Sequence, residues 1–546
     1  MTSLILNIQA QTSYYVSVTG KDTNPGTVRQ PIKSIERANK ISFKPGDRLL
    51  FRANEIFHGN LVLDSSDAGT FAQPVTISSY GSGRATIEAG KGSAVIVENA
   101  GGIIVSNLIV KGAGYSISDG SGVCIVNKLP NNRKLSFIRI KNIEASGFGR
   151  DIVNNKTQIG EQSPQGHGVF VGGHAIDKSK SGYSDVIIDS CIVFENEFYG
   201  ILTTGFWQDN PSVYANEKVT IRNCTAHHNH GDPLYMNDHS GSGILMEDVN
   251  DGLIEYCTAY ENGKNCSNHY GGPCGIWTAV ANKVIIQYCE SFRNRTNNNT
   301  DGDGFDLDGG ATNCILQYNY SHDNEGYGYL ICSYENSPFT NKNNIVRYNI
   351  SVNDAQKLKG GAIHFSTNGV GRNEIFDTQV YGNTCYSPGR SGIVFATKGI
   401  NNPVIINNIF INDSMPFIKG LANSQTAKFI SNCYWSEDGK FRVDNFSSIE
   451  EWRKGSGQEI YNGKTVGIFA DPLLFNYKDG KTINNYKMLK NMSGYRLIKG
   501  SPLIDAGINV SDFFNVFSVK ADYFEAFVPA GKQFDIGASE FHSKFK

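Results

Sequence analysis

The chain has 546 residues, of which 39% are hydrophobic and only 19% are charged, against about 25% charged residues in an average soluble domain. Fifty Lys and Arg residues face 52 Asp and Glu residues, which leaves a net charge of −2. A nucleic-acid-binding protein normally carries a basic excess, and a membrane-spanning helix needs about 18 consecutive apolar residues. We therefore expect a folded protein with no nucleic-acid partner and no membrane span.

Two segments precede the repeated part of the chain. The N-terminus reads MTSLILNIQAQ, so we interpret residues 1–10 as a possible signal-peptide remnant, with an ordinary flexible N-terminus as the alternative. Further on, Ile32, Ile35, Ala38 and Ile41 follow helical spacing. They predict an N-terminal cap helix, because the open end of a solenoid would otherwise pair with other chains.

A repeat of about 30 residues occupies the middle of the chain. Each copy contains a short alternating strand, a polar corner and a second short strand that opens with Gly, as in GILMEDV and GIWTAVA. The equivalent corner positions are Cys191, Cys224, Cys257, Cys289, Asn319 and Asn349. They are separated by 33, 33, 32, 30 and 30 residues.

These repeats predict an all-β solenoid. The sequence between the strands shows no helical pattern, which excludes βαβ units, and the repeat is too short for a propeller blade. A parallel β-helix of about ten coils fits the pattern. We expect it to occupy residues 11–415, including the cap, and we expect residues 416–546 to form a C-terminal capping region that folds back over the last coils.

Stacked coils place equivalent side chains about 4.8 Å apart. We expect the four cysteines to form an inward column of buried thiols, because their coil-length spacing disfavours the alternative of a metal site. Asparagines five positions further on are expected to form a corner ladder in which each amide binds the next. This ladder contains Asn196, Asn229, Asn262, Asn294 and Asn324.

The strand with the sequence DGDGFDLD, residues 301–308, is unusually acidic. If Phe305 and Leu307 point into the core, strand alternation turns Asp306 and Asp308 outward. Equivalent outward positions in earlier coils hold Trp277 and Glu247. We therefore expect these side chains to share one outer face.

Two carboxylates on one strand face lie about 6.5–7 Å apart by strand rise. This separation falls at the low end of the range for inverting glycosidases, and charges so close together drive their pKa values apart. Asp306 and Asp308 are the predicted acid and base, with Asp303 or Glu247 as a third carboxylate. A solvated acidic turn without a role is the alternative.

Several further residues are candidates for the same face. His364 lies in the strand two coils after Asp306 and is predicted to point outward as a further catalytic group. An indole offers an apolar face to a sugar ring, so Trp277 is a predicted sugar platform. The other predicted substrate-binding residues are Trp207, His239, Arg293 and Tyr329.

The same acids permit a second interpretation. Clustered carboxylates are the ligands that Ca²⁺ prefers, so Asp301 and Asp303 are a possible calcium site. A calcium-dependent lyase also needs a base, and this strand contains no Lys. An Arg, a His or a Lys from another coil would have to take the proton.

The repeats resemble those of the pectin-lyase-like superfamily. The opening YYVSVTGKDTNPGT and the later segments FADPLLF and SPLIDAG are also similar to parts of secreted β-helix proteins. The acidic strand resembles the calcium site of one β-helix pectate lyase family. The resemblance implies a right-handed parallel β-helix, a secreted or periplasmic location and a carbohydrate substrate, but it leaves the reaction open among hydrolases, lyases, epimerases and non-catalytic adhesins.

We therefore expect a monomeric glycoside hydrolase that degrades a polysaccharide or oligosaccharide and requires no cofactor. One alternative is a polysaccharide lyase or C5-epimerase that acts on a uronate polymer with Ca²⁺ at Asp301 and Asp303. The other is a glycan-binding or adhesion solenoid without catalytic activity.

Overall fold

The computed structural model describes residues 11–150, 163–236, 238–269, 271–513 and 520–542. The N-terminal segment interpreted as a signal remnant lies outside these residues. The described chain winds into a parallel β-helix in which three ladders of short strands run along the molecule. The predicted fold class is confirmed.

Each coil contributes one strand to each ladder, and four long strands serve two ladders. The first ladder contains Ser13–Val16, Arg48–Arg52, Val75–Tyr80, Ile103–Gly112, Lys134–Ser146, Gly182–Asp189, Asn216–Arg222, Ser242–Glu255, Cys274–Gln287, Ile315–Gln317, Ile345–Arg347, Gln379–Tyr381, Val404–Ile406 and Lys428–Ile430. The second adds Ile56–His58, Ala85–Gly90, Ile192–Phe194, Thr225–His227, Thr258–Tyr260, Glu290–Phe292, Tyr320–His322, Ile350–Val352, Thr384–Tyr386, Ile409–Asn412, Cys433–Ser436 and Ile468–Phe469. The third adds Leu61–Leu63, Val95–Glu98, Val123–Asn127, Val169–Gly173, Tyr199–Thr204, Asp303–Leu307, Tyr329–Ser333, Gly361–Thr367, Ser391–Phe395 and Ile418–Lys419.

Helices and smaller strands lie outside the ladders. The α-helices are Ile35–Ala38 and Ile449–Ser456, and short 3₁₀ turns occur at Ser65–Asp67, Gly371–Asn373, Leu421–Asn423, Tyr486–Asn491, Ser493–Tyr495 and Val510–Asp512. Additional short strands are Asn341–Lys342, Ile375–Phe376, Ile400–Asn401, Ile460–Tyr461 and Lys464–Thr465. Among the helices in the described part of the chain, none is both long and apolar enough to cross a membrane.

The predicted side-chain columns are present inside the coils. Cys191, Cys224, Cys257 and Cys289 are buried in the main hydrophobic core, as expected for free thiols. In the asparagine ladder, the side-chain amide of each residue donates to the Oδ1 of the next. The four distances from Asn196 to Asn324 are 3.1, 3.0, 3.0 and 2.9 Å.

The β-helix is longer than the sequence predicts. Counted over the described residues, the third ladder has twelve strands rather than about ten. The second ladder continues beyond residue 415 through Cys433–Ser436 and Ile468–Phe469. The predicted boundary at residue 415 is therefore too early, because the coils continue with shorter connections.

Both ends of the solenoid are covered. The predicted cap helix is the short helix Ile35–Ala38, in which Ile35 and Ala38 are buried and the Ser34 side chain accepts a hydrogen bond from the Arg37 N–H. At the other end, the helix Ile449–Ser456 inserts Trp452 into the core. Burial of these apolar side chains closes the exposed ends of the core.

The segment after residue 470 lies along the side of the β-helix as well as near its end. Tyr495 and Tyr523 from this segment are buried against the coil residues Tyr318, Tyr348 and Ile406 in a second hydrophobic cluster. The Tyr318 hydroxyl donates to the Ala521 carbonyl at 2.9 Å. The predicted fold-back is thus present, and it covers the corners between the first and second ladders.

The asparagine ladder predicts a large effect for one deletion. The Asn262 side chain accepts from the Asn229 amide at 3.0 Å and donates to Asn294 at 3.0 Å and to the Ala226 carbonyl at 3.1 Å. Asn262→Ala leaves these buried groups without hydrogen-bond partners. We therefore expect urea denaturation to show a loss of about 2–4 kcal/mol in unfolding free energy.

The matched control is Asn297→Ala, because the Asn297 amide makes an exposed hydrogen bond to the Ser267 hydroxyl at 2.9 Å. This change should alter the unfolding free energy by no more than about 0.5 kcal/mol. Equal losses in the two variants would show that the ladder does not stabilise the coils.

Candidate active site

A cavity of about 670 Å³ lies on the outer face of the third ladder. Strand residues form its floor, and the loops on both sides of the ladder form its walls. The predicted site residues that line it are Trp207, His239, Glu247, Trp277, Asp301, Asp306 and Asp308. The structure therefore brings side chains from several coils into one enclosed space.

The register of the third ladder explains this arrangement. Trp277 pairs with Asp306, Asp306 with Leu330, and Leu330 with His364 in successive coils. Phe305, next to Asp306 in the strand, is buried in the hydrophobic core. Alternation along the strand therefore turns Asp306 and its partners outward.

Asp306 lies on the cavity floor and is almost completely buried. Its relative exposure is 3%, and its Oδ1 has no hydrogen-bond partner among the described residues. Burial, followed by the charge of Asp308, raises the pKa of Asp306 well above its usual value. The side chain is therefore suited to hold a proton near neutral pH.

Asp308 experiences a different environment. Its Oδ1 accepts a hydrogen bond from the Gly309 N–H at 2.6 Å. Burial raises the pKa of Asp308, while His239 and this hydrogen bond oppose the shift. His239 is itself oriented by a 2.8 Å contact between its Nδ1 and the Gly272 carbonyl. Asp308 is consequently better stabilised than Asp306 as a carboxylate.

Glu247 supplies a third carboxyl group to the cavity. The Thr204 hydroxyl donates a hydrogen bond to it, and burial raises the pKa of Glu247 to about 8. The next residue, Asp248, forms a buried ion pair with Lys180 at 2.6 Å. That pair anchors the middle of the strand Ser242–Glu255 beside Glu247 without placing a cation in the cavity lining.

Asp301 and Asp303, the possible calcium ligands, both accept hydrogen bonds from backbone N–H groups. Asp301 accepts a hydrogen bond from the Gly272 N–H, and Asp303 accepts one from the Tyr327 N–H. Burial raises the pKa of both carboxyl groups. Across the described ranges, no three His, Cys, Asp or Glu side chains are arranged to hold a metal ion.

The two predicted tryptophans of the site differ in how far they are buried. Trp277 is only 2% exposed, and the His239 ring lies 5.3 Å from its ring centre. Trp277 therefore belongs to the floor and has little open face for a sugar. Trp207 is less buried and lies 6.2 Å from Tyr334 in a stacked arrangement, so these two rings form the more accessible aromatic wall.

Two predicted substrate-binding residues lie elsewhere. Tyr329 is fully buried, stacks on Phe305 at 5.3 Å and donates hydrogen bonds to core carbonyls, so its prediction as a sugar ligand is wrong. Arg293 lies at a corner after the second ladder, where it pairs with Glu261 at 3.1 Å. That corner is not part of the cavity lining.

Two predicted catalytic residues also fail to line the cavity. Asp303 has no exposed surface, because the loop that contains Tyr327 covers it. The Tyr327 N–H donates a hydrogen bond to the Asp303 side chain. His364 occupies the predicted outward position, but the Tyr327 ring covers it at a centroid distance of 3.6 Å. Burial lowers the pKa of His364 to about 3, so it remains neutral.

Sequence reasoning missed several contributors. Tyr327 and Tyr334 line the cavity from loops, where no alternation rule fixes their direction. Lys180 comes from the long insertion between the repeats at Asn142 and Cys191, and its ion pair with Asp248 spans 68 residues. A tyrosine-rich loop beside the acidic strand was the available signal for Tyr327, but its contact with His364 was not predictable.

Comparison with known proteins supports the fold. No protein-family model matches the chain, and no curated protein sequence matches it. Among solved structures, the GH136 lacto-N-biosidase from Eubacterium ramulus matches with 20% identity and a TM-score of 0.52, over 78% of this chain and 67% of that chain. XylC in complex with xylose matches with 10% identity and a TM-score of 0.50, over 96% and 98% of the two chains.

Pectate lyase Pel9A also matches, with 16% identity, a TM-score of 0.42 and coverage of 98% of both chains. At such low identities, the first two matches establish a shared fold. That fold is the parallel β-helix predicted from the repeats. The matched proteins include a glycosidase and a lyase.

Proposed function

We propose that the chain is a glycoside hydrolase acting on a neutral oligosaccharide or polysaccharide, with Asp306 as general acid and Asp308 as general base. The observation that carries this proposal is the position of two carboxyl groups on the cavity floor, one on the strand Asp303–Leu307 and one directly after it, in unlike environments. Burial and the charge of Asp308 raise the pKa of Asp306 well above its usual value, whereas His239 and the Gly309 N–H oppose the rise at Asp308. A protonated acid beside an ionised base is what glycosidic hydrolysis requires.

The spacing supports a direct displacement by water. Asp308 directly follows the strand that contains Asp306. Residues two apart in extended chain are separated by about 6.5–7 Å, which is at the low end of the range for inverting enzymes. Asp306 would protonate the leaving oxygen, and Asp308 would take a proton from the attacking water. Glu247 is the second candidate for the acid, because burial raises its pKa to about 8.

The charge of the cavity favours a neutral substrate. Five carboxyl groups and no Lys or Arg occur among the described lining residues. A uronate would be repelled by any ionised acid there. The cavity lining also offers a lyase or epimerase no Lys or Arg as base, so the hydrolase is the better fit.

The shape of the face favours attack near a chain end. Outward residues in the coils before the cavity, including Phe170, Tyr199 and Leu245, are completely covered. Outward residues in later coils, such as Ser366 and Thr397, line the cavity and are partly exposed. A sugar chain would therefore enter from the side of the later coils.

A secreted or periplasmic location and a monomeric state are also part of this proposal.

Product analysis over a panel of polysaccharides tests the reaction class. A hydrolase that attacks chain ends releases a small reducing sugar from the first minutes, while the viscosity of the polymer stays nearly constant. A lyase would instead release an unsaturated product that absorbs in the ultraviolet. Retardation on polysaccharide gels without any product would support the glycan-binding alternative.

Removal of either proposed catalytic carboxyl should abolish most activity. We expect Asp306→Asn and Asp308→Asn each to lower kcat by at least about a hundredfold, because each removes a proton-transfer group. On an aryl glycoside of the preferred sugar, whose leaving group needs no protonation, Asp306→Asn should recover activity and Asp308→Asn should not.

Asp209→Asn is the matched control, since Asp209 is exposed and outside the cavity lining. Its steady-state rates should equal those of the wild type. Near-normal kcat in Asp306→Asn and Asp308→Asn with a natural substrate would remove the assignment.

The raised pKa of Asp306 predicts how activity falls at alkaline pH. Because burial raises the pKa of Asp306, kcat/KM should remain high above the usual carboxyl range and fall as rising pH deprotonates the acid. When kcat/KM is measured from about pH 5 to 10, this fall should occur at the same pH in Glu247→Gln as in the wild type. If the alkaline limb moves to a different pH in Glu247→Gln, Glu247 rather than Asp306 is the general acid.

A further inference from the structure

A second cavity, of about 540 Å³, lies on a different side of the β-helix. It occupies the corner between the first and second ladders, where the C-terminal segment lies against the coils. Five tyrosines line it, namely Tyr256, Tyr288, Tyr318, Tyr486 and Tyr523. The catalytic cavity contains none of these residues.

The coil period arranges the first three tyrosines as a stack. They occupy the same corner position in successive coils, and their ring centres are 5.3 and 5.0 Å apart with nearly parallel planes. The preceding coil has Asn223 at this position, and its amide is held by Asp189 at 2.9 Å. Tyr256 therefore ends the stack and has a stacked ring neighbour on one face only.

The C-terminal segment supplies the opposite wall. The Tyr486 ring lies 5.5 Å from the Tyr256 ring at an angle of 45°. Three charged side chains also line the cavity. Lys490 and Glu525 form an ion pair at 2.9 Å, and the Lys487 Nζ lies 5.8 Å from the Tyr486 ring centre. Aromatic side chains thus dominate the two walls.

The tyrosine hydroxyls indicate the chemistry of a ligand. Within the described residues, the hydroxyls of Tyr256, Tyr288 and Tyr486 have no hydrogen-bond partner, although all three side chains are partly buried. An apolar ring face beside available hydroxyl groups suits a sugar, which offers C–H faces and hydroxyl groups of its own.

We propose that this cavity is a second carbohydrate-binding site, which holds a neutral polysaccharide away from the catalytic cavity. The choice of a neutral sugar rests on the proposed function. The site would retain the enzyme on its polymer and raise the local concentration of substrate, as linked binding sites do.

Affinity electrophoresis tests this site without turnover. The parent is the Asp306→Asn variant, run on gels that contain soluble xylan, mixed-linkage β-glucan or galactan, with polygalacturonate as the anionic comparison. Tyr256→Ala and Tyr486→Ala, each in this background, should raise the dissociation constant for the retarding neutral polymer by about tenfold or more, because each removes one aromatic wall.

Tyr386→Ala is the matched control. Tyr386 also contacts a tyrosine of the C-terminal segment, Tyr477, with ring centres 5.1 Å apart, but it lies outside the cavity. Its variant should retain the parent affinity. Unchanged affinity in both Tyr256→Ala and Tyr486→Ala, or retardation by polygalacturonate alone, would overturn the proposal. Because binding is measured directly, this outcome is separate from the presence or absence of hydrolysis.

Discussion

Backbone hydrogen bonding between successive coils, in strict register, is the interaction on which the rest of this structure depends. It places each side chain about 4.8 Å from its equivalent in the next coil. Two results of that constraint are the buried asparagine ladder from Asn196 to Asn324 and the partly exposed tyrosine stack from Tyr256 to Tyr318. On the outer face, the same register sets Trp277 beside Asp306, although they are far apart in sequence.

The chemistry of the outer face arises because loops cover it. An acidic strand exposed to water would hold ordinary carboxylates, whereas burial under the loops raises the pKa of Asp306 and of Glu247. His239 opposes this effect at Asp308. The fold therefore creates unlike environments for residues on neighbouring positions of one rigid ladder, and such differences are what acid–base catalysis uses.

The sequence was most informative where periodicity fixes direction. Strand alternation predicted the outward position of Asp306, and the coil period predicted the asparagine ladder. It was least informative about loops, so the covering of Trp277 and the stacking of Tyr327 on His364 were not predictable. Tyr329 was assigned to the substrate although alternation turns it inward, next to Phe305. Asn383, Asn408 and Asn432 continue the column of corner residues that contains Asn319 and Asn349. The early boundary at residue 415 arose because the spacing in this column shortens to 25 and 24 residues.

The register of the outer face is open to a direct chemical measurement. Because Leu307 pairs with Ile331, Asp308 lies beside Cys332 in the next coil, at a spacing of about 4.8 Å that permits a disulfide. We expect mild oxidation of the Asp308→Cys variant to link this position to Cys332, as detected by mass spectrometry of proteolytic peptides. Adding Cys332→Ser should abolish the linked peptide. A folded Asp308→Cys variant that forms no such link would contradict the stacking that gathers the proposed catalytic groups.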